Sequence, residues 1–231
     1  MKRLGFIILL LISFITAKAQ SGDTYSSFSI GGGYGSTTVY DYTLAPIDKW
    51  AVNGTLSYNI TPFFTLTGEL QVGRFEGGDL TAFNMKYFQN VFAAAILHAD
   101  VQAGELIDYS RSDFLYGLKD VYMGTGIGFL QNSINFIQPF FPNSNNQSFY
   151  PIVISSTNVL VPLTLGYDFK IYNGYDQPQI RIDVSYTSNA VFGQAIDGYI
   201  TAAPVKFYSY LSVGVKFGFG PAKLYRKPIR Y

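Results

Sequence analysis

From Trp50 onward the chain repeatedly sets an apolar residue beside a small or polar one, and this period of two constrains the fold more than any other feature. Trp50, Val52, Leu56, Tyr58 and Ile60 alternate with Ala51, Asn53, Thr55, Ser57 and Asn59. Phe64, Leu66, Leu70 and Val72 alternate with Thr65, Thr67, Glu69 and Gln71, and Ile180, Ile182, Val184 and Tyr186 with Arg181, Asp183, Ser185 and Thr187. Near the C-terminus Leu211, Val213, Val215, Phe217 and Phe219 alternate with Ser212, Gly214, Lys216 and Gly218. Side chains of a strand point to opposite faces in turn, so this pattern specifies strands with one apolar and one polar face. Weaker versions cover 28–34, 91–102, 121–130 and 159–171. Together these predict eight strands, about the roughly 9–11 residues long that a membrane-crossing strand requires.

The N-terminus has a different character. Met1-Lys2-Arg3 precedes an apolar run from Leu4 to Ile15, and Ala17-Lys18-Ala19 follows with small residues flanking one long one. This is the pattern of a secretory signal peptide, 1–19, cleaved after Ala19. Beyond it no apolar run approaches the roughly 20 residues of a membrane helix; the longest is Val91 to Leu97.

Connections between the strands alternate in length. Asn59-Ile60-Thr61-Pro62 and Asn173-Gly174-Tyr175-Asp176 are tight turns, whereas 41–48, 77–87, 132–158 and 191–204 are longer. Short turns on one side and long loops on the other suit an outer-membrane barrel. The segment 104–119 is the exception, long where a short turn belongs, and reads as a short helix or a strand extension. Pro162 cannot donate to a ladder, and a closed barrel has no edge to accommodate it, so a bulge near the rim is expected there.

Alternation alone also fits a soluble barrel with an apolar interior, and composition decides between the two. Charged residues are only 13% of the chain and aromatics 17%. A water-facing wall would be rich in Lys and Glu; here the polar face is Gly, Ser, Thr and Asn. Aromatics also gather at the strand ends: Tyr40, Trp50, Phe75, Tyr87, Phe207 and Tyr208 at one rim, Phe28, Tyr58, Phe63, Phe64, Tyr172 and Phe219 at the other. Such residues suit membrane–water interfaces. The fold expected is all-β, a closed antiparallel up-and-down transmembrane β-barrel spanning 20–219, with a basic periplasmic tail at 220–231.

Ser212, Gly214, Phe217 and Phe219 place a polar residue, a glycine and two outward aromatics at fixed spacing in the last strand. This resembles the signal that the outer-membrane assembly machinery reads, and 28–219 as a whole resembles the small OmpA/OmpX-type outer-membrane barrels of Gram-negative bacteria. The resemblance implies an exported protein with both termini in the periplasm, outer-membrane lipid around it, and a lumen filled by an ionic network. Two departures stand out: the aromatic strand is followed by residues 220–231, and nothing resembles the peptidoglycan-binding module of the longer family members.

With the apolar face toward lipid, the lumen receives Glu69, His98, Asp100, Asp168, Lys170, Arg181, Asp183 and Lys216, each near the periplasmic end of its strand, while Phe92, Ala94, Ile96, Gly124 and Gly126 line an uncharged upper half. Eight strands enclose a space just wide enough for side chains to fill, so these charges must pair or bind water. Glu69 is expected to meet His98, and Lys170, Arg181, Asp183 and Lys216 to group across the last three strands. Arg181 is the expected centre, because its fork can serve Asp168 and Asp183 together.

Most enzyme chemistry is excluded by composition. Cysteine is absent and histidine occurs once, which removes disulfides, thiolate metal sites, Fe–S clusters and multi-histidine centres. A net charge of +1 offers no field for nucleic acid. The pair His98 and Asp100 suggests acyl transfer, but no serine is placed for it and both residues face inward. Gly31 to Gly35 is no phosphate loop, since no helix follows; it fits close backbone approach within a strand. No cofactor is implied and no catalytic role assigned. Function then falls to the ends of the barrel. The uncharged loop 132–158 carries Phe136, Phe140, Phe141, Phe149 and Tyr150, and is equally a candidate partner surface for another envelope protein or a hairpin that extends strands five and six with its aromatics packed on each other. Lys223, Arg226, Lys227 and Arg230 make the tail a candidate contact for anionic lipid or a periplasmic partner. The function expected is non-enzymatic, structural or partner-binding. A lipid-modifying barrel enzyme, or passage of small apolar ligands through a gap in the wall, are the alternatives.

Overall fold

The structure, a computed structural model, describes residues 23–40, 45–78, 87–110, 112–137, 152–193, 196–198 and 205–226. The signal segment 1–19, Phe140, Phe141, Phe149 and Tyr150 of the long loop, and Lys227 and Arg230 of the tail lie outside them. Eight long strands follow one another: β1 (Asp23–Tyr40), β2 (Lys49–Asn59), β3 (Phe64–Gly78), β4 (Tyr87–Gln102), β5 (Val121–Ile137), β6 (Ser155–Tyr172), β7 (Pro178–Phe192) and β8 (Val205–Tyr225). Each pairs antiparallel with its sequence neighbours, and β1 pairs with β8, so the sheet closes on itself. Closure pairs every wall strand on both sides and removes the sheet edge. A two-residue segment, Pro46–Ile47, extends β3 by pairing with Glu76 and Gly77.

Alternation assigns the two faces as the sequence implies. Ile30, Leu70, Leu97, Met123 and Leu163 point outward and are more than half exposed, while Thr37, Thr67, Gln71, Asn132 and Asn189 point inward and are buried. Three strand-end aromatics do not follow the expected girdles. Phe75 and Tyr208 at one end and Phe63 at the other turn into the lumen and are buried. Period two requires this: Tyr208 adjoins outward Phe207, and neighbours in a strand cannot share a face.

The boundaries shift in two places. β8 does not stop at Phe219; after an irregularity at Ser26/Phe28 on β1 and Gly220 in the left-handed region (φ +84°), it continues to Tyr225 opposite Asp23. The stretch 132–158 is not all loop, because β5 runs to Ile137 and β6 begins at Ser155, with Asn132 opposite Ser156.

Pro162 needs no bulge. The β5–β6 register is the same above and below it, but pairing lapses between Thr125↔Leu163 and Gly128↔Leu160. The missing donor thus costs a short break in the ladder, which the Thr125 hydroxyl partly mends by donating to the Pro162 carbonyl at 2.9 Å.

β1 starts and β8 finishes at the same end of the barrel, with Asp23 opposite Tyr225, called here the terminal end; the opposite is the far end. The segment 104–119 folds across the terminal end as two short helices, α1 (Ala103–Leu106) and α2 (Asp113–Leu118). Ser112 caps α2 by accepting from the Leu115 amide. Glu105 accepts from Thr61 and Tyr225, and Tyr109 donates to Asp23 at 2.6 Å. Burial and the Asp23 carboxylate push the Tyr109 phenol up. Phe63 lies beneath this cover against the Tyr109 and Tyr225 rings, so close to Gly104 that a Cβ there would meet its ring at 2.4 Å.

Candidate functional site

Each charged lumen residue expected from alternation points inward, and together they form two linked groups in the half nearer the terminal end. In the first, His98 joins two carboxylates. Its Nδ1 lies 2.8 Å from Asp100 Oδ1 and its Nε2 3.3 Å from Glu69 Oε2. Glu69 also accepts from Asn53 at 2.7 Å and Gln71 at 3.1 Å, and Asp100 accepts from Thr67. Asp100 fits only because Gly124 faces it: a Cβ there would lie 2.0 Å from Asp100 Oδ1. Gly126 backs onto His98 in the same way, a Cβ there lying 2.6 Å from the His98 Cα. Gly124 and Gly126 therefore belong to the charged level, not to the uncharged half.

The second group centres on Lys216 rather than Arg181. Lys216 Nζ lies 3.1 Å from Asp183 and 3.8 Å from Asp168. Arg181 reaches Asp168 at 3.9 Å and turns its other donors to Ser29 at 2.5 Å and Asn59 at 3.5 Å. Lys170 joins at the group's edge rather than at Asp183, pairing with Asp120 at 2.7 Å and donating to Gln102 at 2.7 Å. Asp120, Gln102 and Tyr122 complete this group, Gln102 donating to Asp168 at 2.9 Å and Tyr122 to Asp183 at 2.6 Å. A cavity of about 10 Å³ lies between the two groups, lined by Asp100, Tyr122, Asp168 and Lys216 among others, and one of about 20 Å³ lies by Arg181 and Lys170. Each has room for about one water molecule.

Toward the far end the lumen is closed by rings. Phe75 and Phe92 stack at 4.0 Å and nearly parallel, and Tyr208 leans on both. Leu130, Leu160, Val191 and Ile196 are buried around them, and Ala94 and Ile96 join the same core. The half is not free of charge, contrary to expectation. Lys206 of β8 pairs with Asp197, and both are buried. Asp197 sits in a short described stretch, 196–198, that dips into the mouth, where Asn90 also donates to the Ile196 carbonyl at 2.6 Å.

Both ring nitrogens of His98 face carboxylates, Nδ1 within hydrogen-bond distance of Asp100 and Nε2 toward Glu69. Among the described residues no cluster of three or more His, Asp or Glu is placed to hold a metal ion.

The other expected features lie along the last strand and at the two ends of the wall. Ser212 faces inward and shares a hydrogen bond with Ser185 at 2.9 Å; Gly214 meets the β1 backbone at Gly32 and Gly33; Phe217 and Phe219 point outward. Phe136 is half-exposed where β5 rises past the barrel mouth. Lys223 lies 5.6 Å from the outward Tyr58 ring, and Arg226 follows the last strand. At the far end Arg74, also outward, lies 5.6 Å from the Trp50 ring.

No protein-family model matches this chain, and no curated protein matches it. Solved structures do. Neisserial surface protein A is 15% identical, with 84% of this chain and 98% of that one covered and a TM-score of 0.50. Ail, the attachment invasion locus protein of Yersinia pestis, solved with the heparin analogue sucrose octasulfate, is 14% identical over 87% of this chain and 100% of its own, with a TM-score of 0.45. OprG of Pseudomonas aeruginosa is 12% identical over 87% and 100%, at 0.39. The closed ring of eight strands and its likeness to the first of these give the chain the fold of the small OmpA/OmpX-like outer-membrane β-barrels.

Proposed function

We propose that the protein resides in the outer membrane as a sealed barrel, with its termini in the periplasm, and works as a structural or partner-binding protein rather than as a pore or an enzyme. The observation that carries this reading is a lumen filled at two levels, by ionic groups at one and stacked rings at the other, with cavities of only about 10 and 20 Å³ among the charged side chains. The outward wall supports the location: large apolar residues cover it, and a backbone can be satisfied in lipid only by helices or closure. The export signal at 1–19 and the last-strand pattern Ser212 to Phe219 fit delivery by the secretory route and the outer-membrane assembly machinery. In this reading the far end is extracellular, and the contact for an envelope partner is the hairpin 132–158, with the tail from Lys223 a second contact, to anionic lipid or to such a partner.

Reconstitution into planar bilayers tests the sealed lumen: no stable conductance steps are expected, and porin-like steps would overturn the reading. Unboiled and boiled samples on a gel test the barrel itself, which should migrate differently when folded. For the partner role, 132–158 is replaced by a short polar turn and the protein is purified from native membranes in mild detergent. A companion held by the wild type should be lost, and loss of acyl chains from co-purified lipid would instead favour an enzyme.

A further inference from the structure

We propose that helix α2 is an interfacial anchor that lays Phe114 and Leu118 into the phospholipid leaflet at the terminal end, extending the lipid-facing band of the wall; this rests on the membrane reading above. Three observations converge on it. First, α2 reaches the outside of the wall. Tyr167 is an outward residue of β6, its ring 4.5 Å from that of outward Phe169, and its hydroxyl donates to the Gly117 carbonyl at 2.9 Å. The last turn of α2 is therefore tied to the apolar outer surface, not to the lumen beneath which α1 lies.

Second, the helix presents large apolar side chains that the described chain leaves uncovered. Phe114 is 74% exposed and Leu118 36%, and residues four apart share one face of a helix. Third, the cation beside it is turned away, and its one exposed charge, Asp113, stands at the first turn beside the apolar pair rather than within it. Lys119, which follows directly, is 3% exposed, with its ammonium 3.8 Å from the Tyr116 ring and 5.4 Å from that of Tyr109. From Ser112 to Leu118 only Asp113 is charged, and it stands at the first turn, where a carboxylate suits the helix dipole. A face meant for a soluble partner would keep polar handles on its rim. This one is apolar, uncharged and continuous with a wall that meets lipid. The fitting occupant is the boundary between phospholipid headgroups and acyl chains, where interfacial helices sink roughly 5–10 Å and where outward Tyr167 already stands.

Tryptophan fluorescence tests this, because the chain has a single tryptophan. In a Trp50→Phe background, Phe114→Trp and, separately, Leu70→Trp are refolded into phosphatidylcholine vesicles brominated either near the carbonyls or in mid-chain. Unboiled gel mobility verifies folding, and Leu118→Trp replaces Phe114→Trp if that variant does not fold. The expected result is a blue-shifted emission from position 114, quenched most by the shallow bromines and shielded from aqueous acrylamide, with position 70 quenched most by the deep ones. Quenching at 70 combined with an acrylamide-accessible, bromine-insensitive probe at 114 overturns the anchor and leaves the barrel intact, with the helix free for a soluble partner. A probe at 70 that no bromine reaches overturns the membrane reading and the anchor with it.

Discussion

At the terminal end of the lumen, Lys216, Arg181 and Lys170 divide themselves among Asp168, Asp183 and Asp120; at the far end, Phe75, Phe92 and Tyr208 pack as a slab of rings beneath one ion pair. Both halves are full, but for opposite reasons. Rings fill space by shape, and each loses little on leaving water. Charges fill it only where every partner is in place, since an ion left alone in such a site is penalised by several kcal/mol. Both halves rely on glycines to make room for their side chains. Gly31 lies under Lys216 and Gly124 under Asp100, each where a Cβ would collide with the charged side chain. The aromatic half shows the same device at Gly73, beneath Phe92. The comparison teaches that the two levels fill the lumen on different terms, one conditional on chemistry and one on volume; on the proposed sealed-barrel reading they act as independent seals.

The largest effect should come from breaking the conditional seal at its centre. Lys216→Met takes from Asp183 its one cation and leaves Asp168 only the more distant Arg181, and should cost about 3–5 kcal/mol, whereas Arg181→Met leaves Lys216 beside both acids and should cost about 1–3 kcal/mol, chiefly through Ser29 and Asn59. Urea unfolding in lipid vesicles compares them; a larger loss at Arg181 would return it to the centre. Next comes Phe92→Ala, which opens a void beside Phe75 and Tyr208 and should cost about 3 kcal/mol. Its informative readout is conductance. If the seals are independent the variant stays closed in a planar bilayer, and stable steps would mean that the rings alone block the path.

Gly124→Ala is milder, at about 1–3 kcal/mol for overpacking. It should push Asp100 off His98, visible as a changed imidazole resonance by NMR, while an unmoved resonance would mean the strands part instead. Smallest is Pro162→Ala, a change in the wall rather than the lumen. A restored amide should close the break between β5 and β6 and add about 0.5–1.5 kcal/mol. Slower hydrogen exchange at Gly126 and Ile127 would report it, and unchanged exchange would mean the break has another cause.

Much of this was legible in the sequence because it follows from a period of two. The faces of β2, β3, β7 and β8 can be read from Trp50, Leu70, Ile182 and Val213, and with them the inward direction of the charges. What period two cannot supply is depth and reach. Gly124 belongs to the charged level because antiparallel register sets it opposite Asp100, and register is invisible when strands are read singly. Lys216 displaces Arg181 because it approaches Asp183 closely while Arg181 finds Ser29 and Asn59, a matter of side-chain geometry. Asp120 and Asp197 were missed for a simpler reason: both sit just outside the alternating segments, one after α2 and one in the dip at the far mouth. Tyr208 and Phe63 could have been assigned correctly, since each adjoins an aromatic already given to the outer face.

The pairing of Asp23 with Tyr225 has a topological consequence. With the first and last strands joined along their length, the folded chain is a ring that happens to be nicked between β8 and β1. The nick could be moved. Linking Tyr225 to Asp23 by a few glycines and opening the Asn173–Gln177 turn instead would give a circular permutant in which every strand keeps both neighbours, while β7 would enter first and β6 last. The strand bearing Ser212, Gly214, Phe217 and Phe219 would then lie in the interior of the sequence. Such a molecule separates two properties that the natural order fuses: which strands belong together, and which one arrives to close the circle.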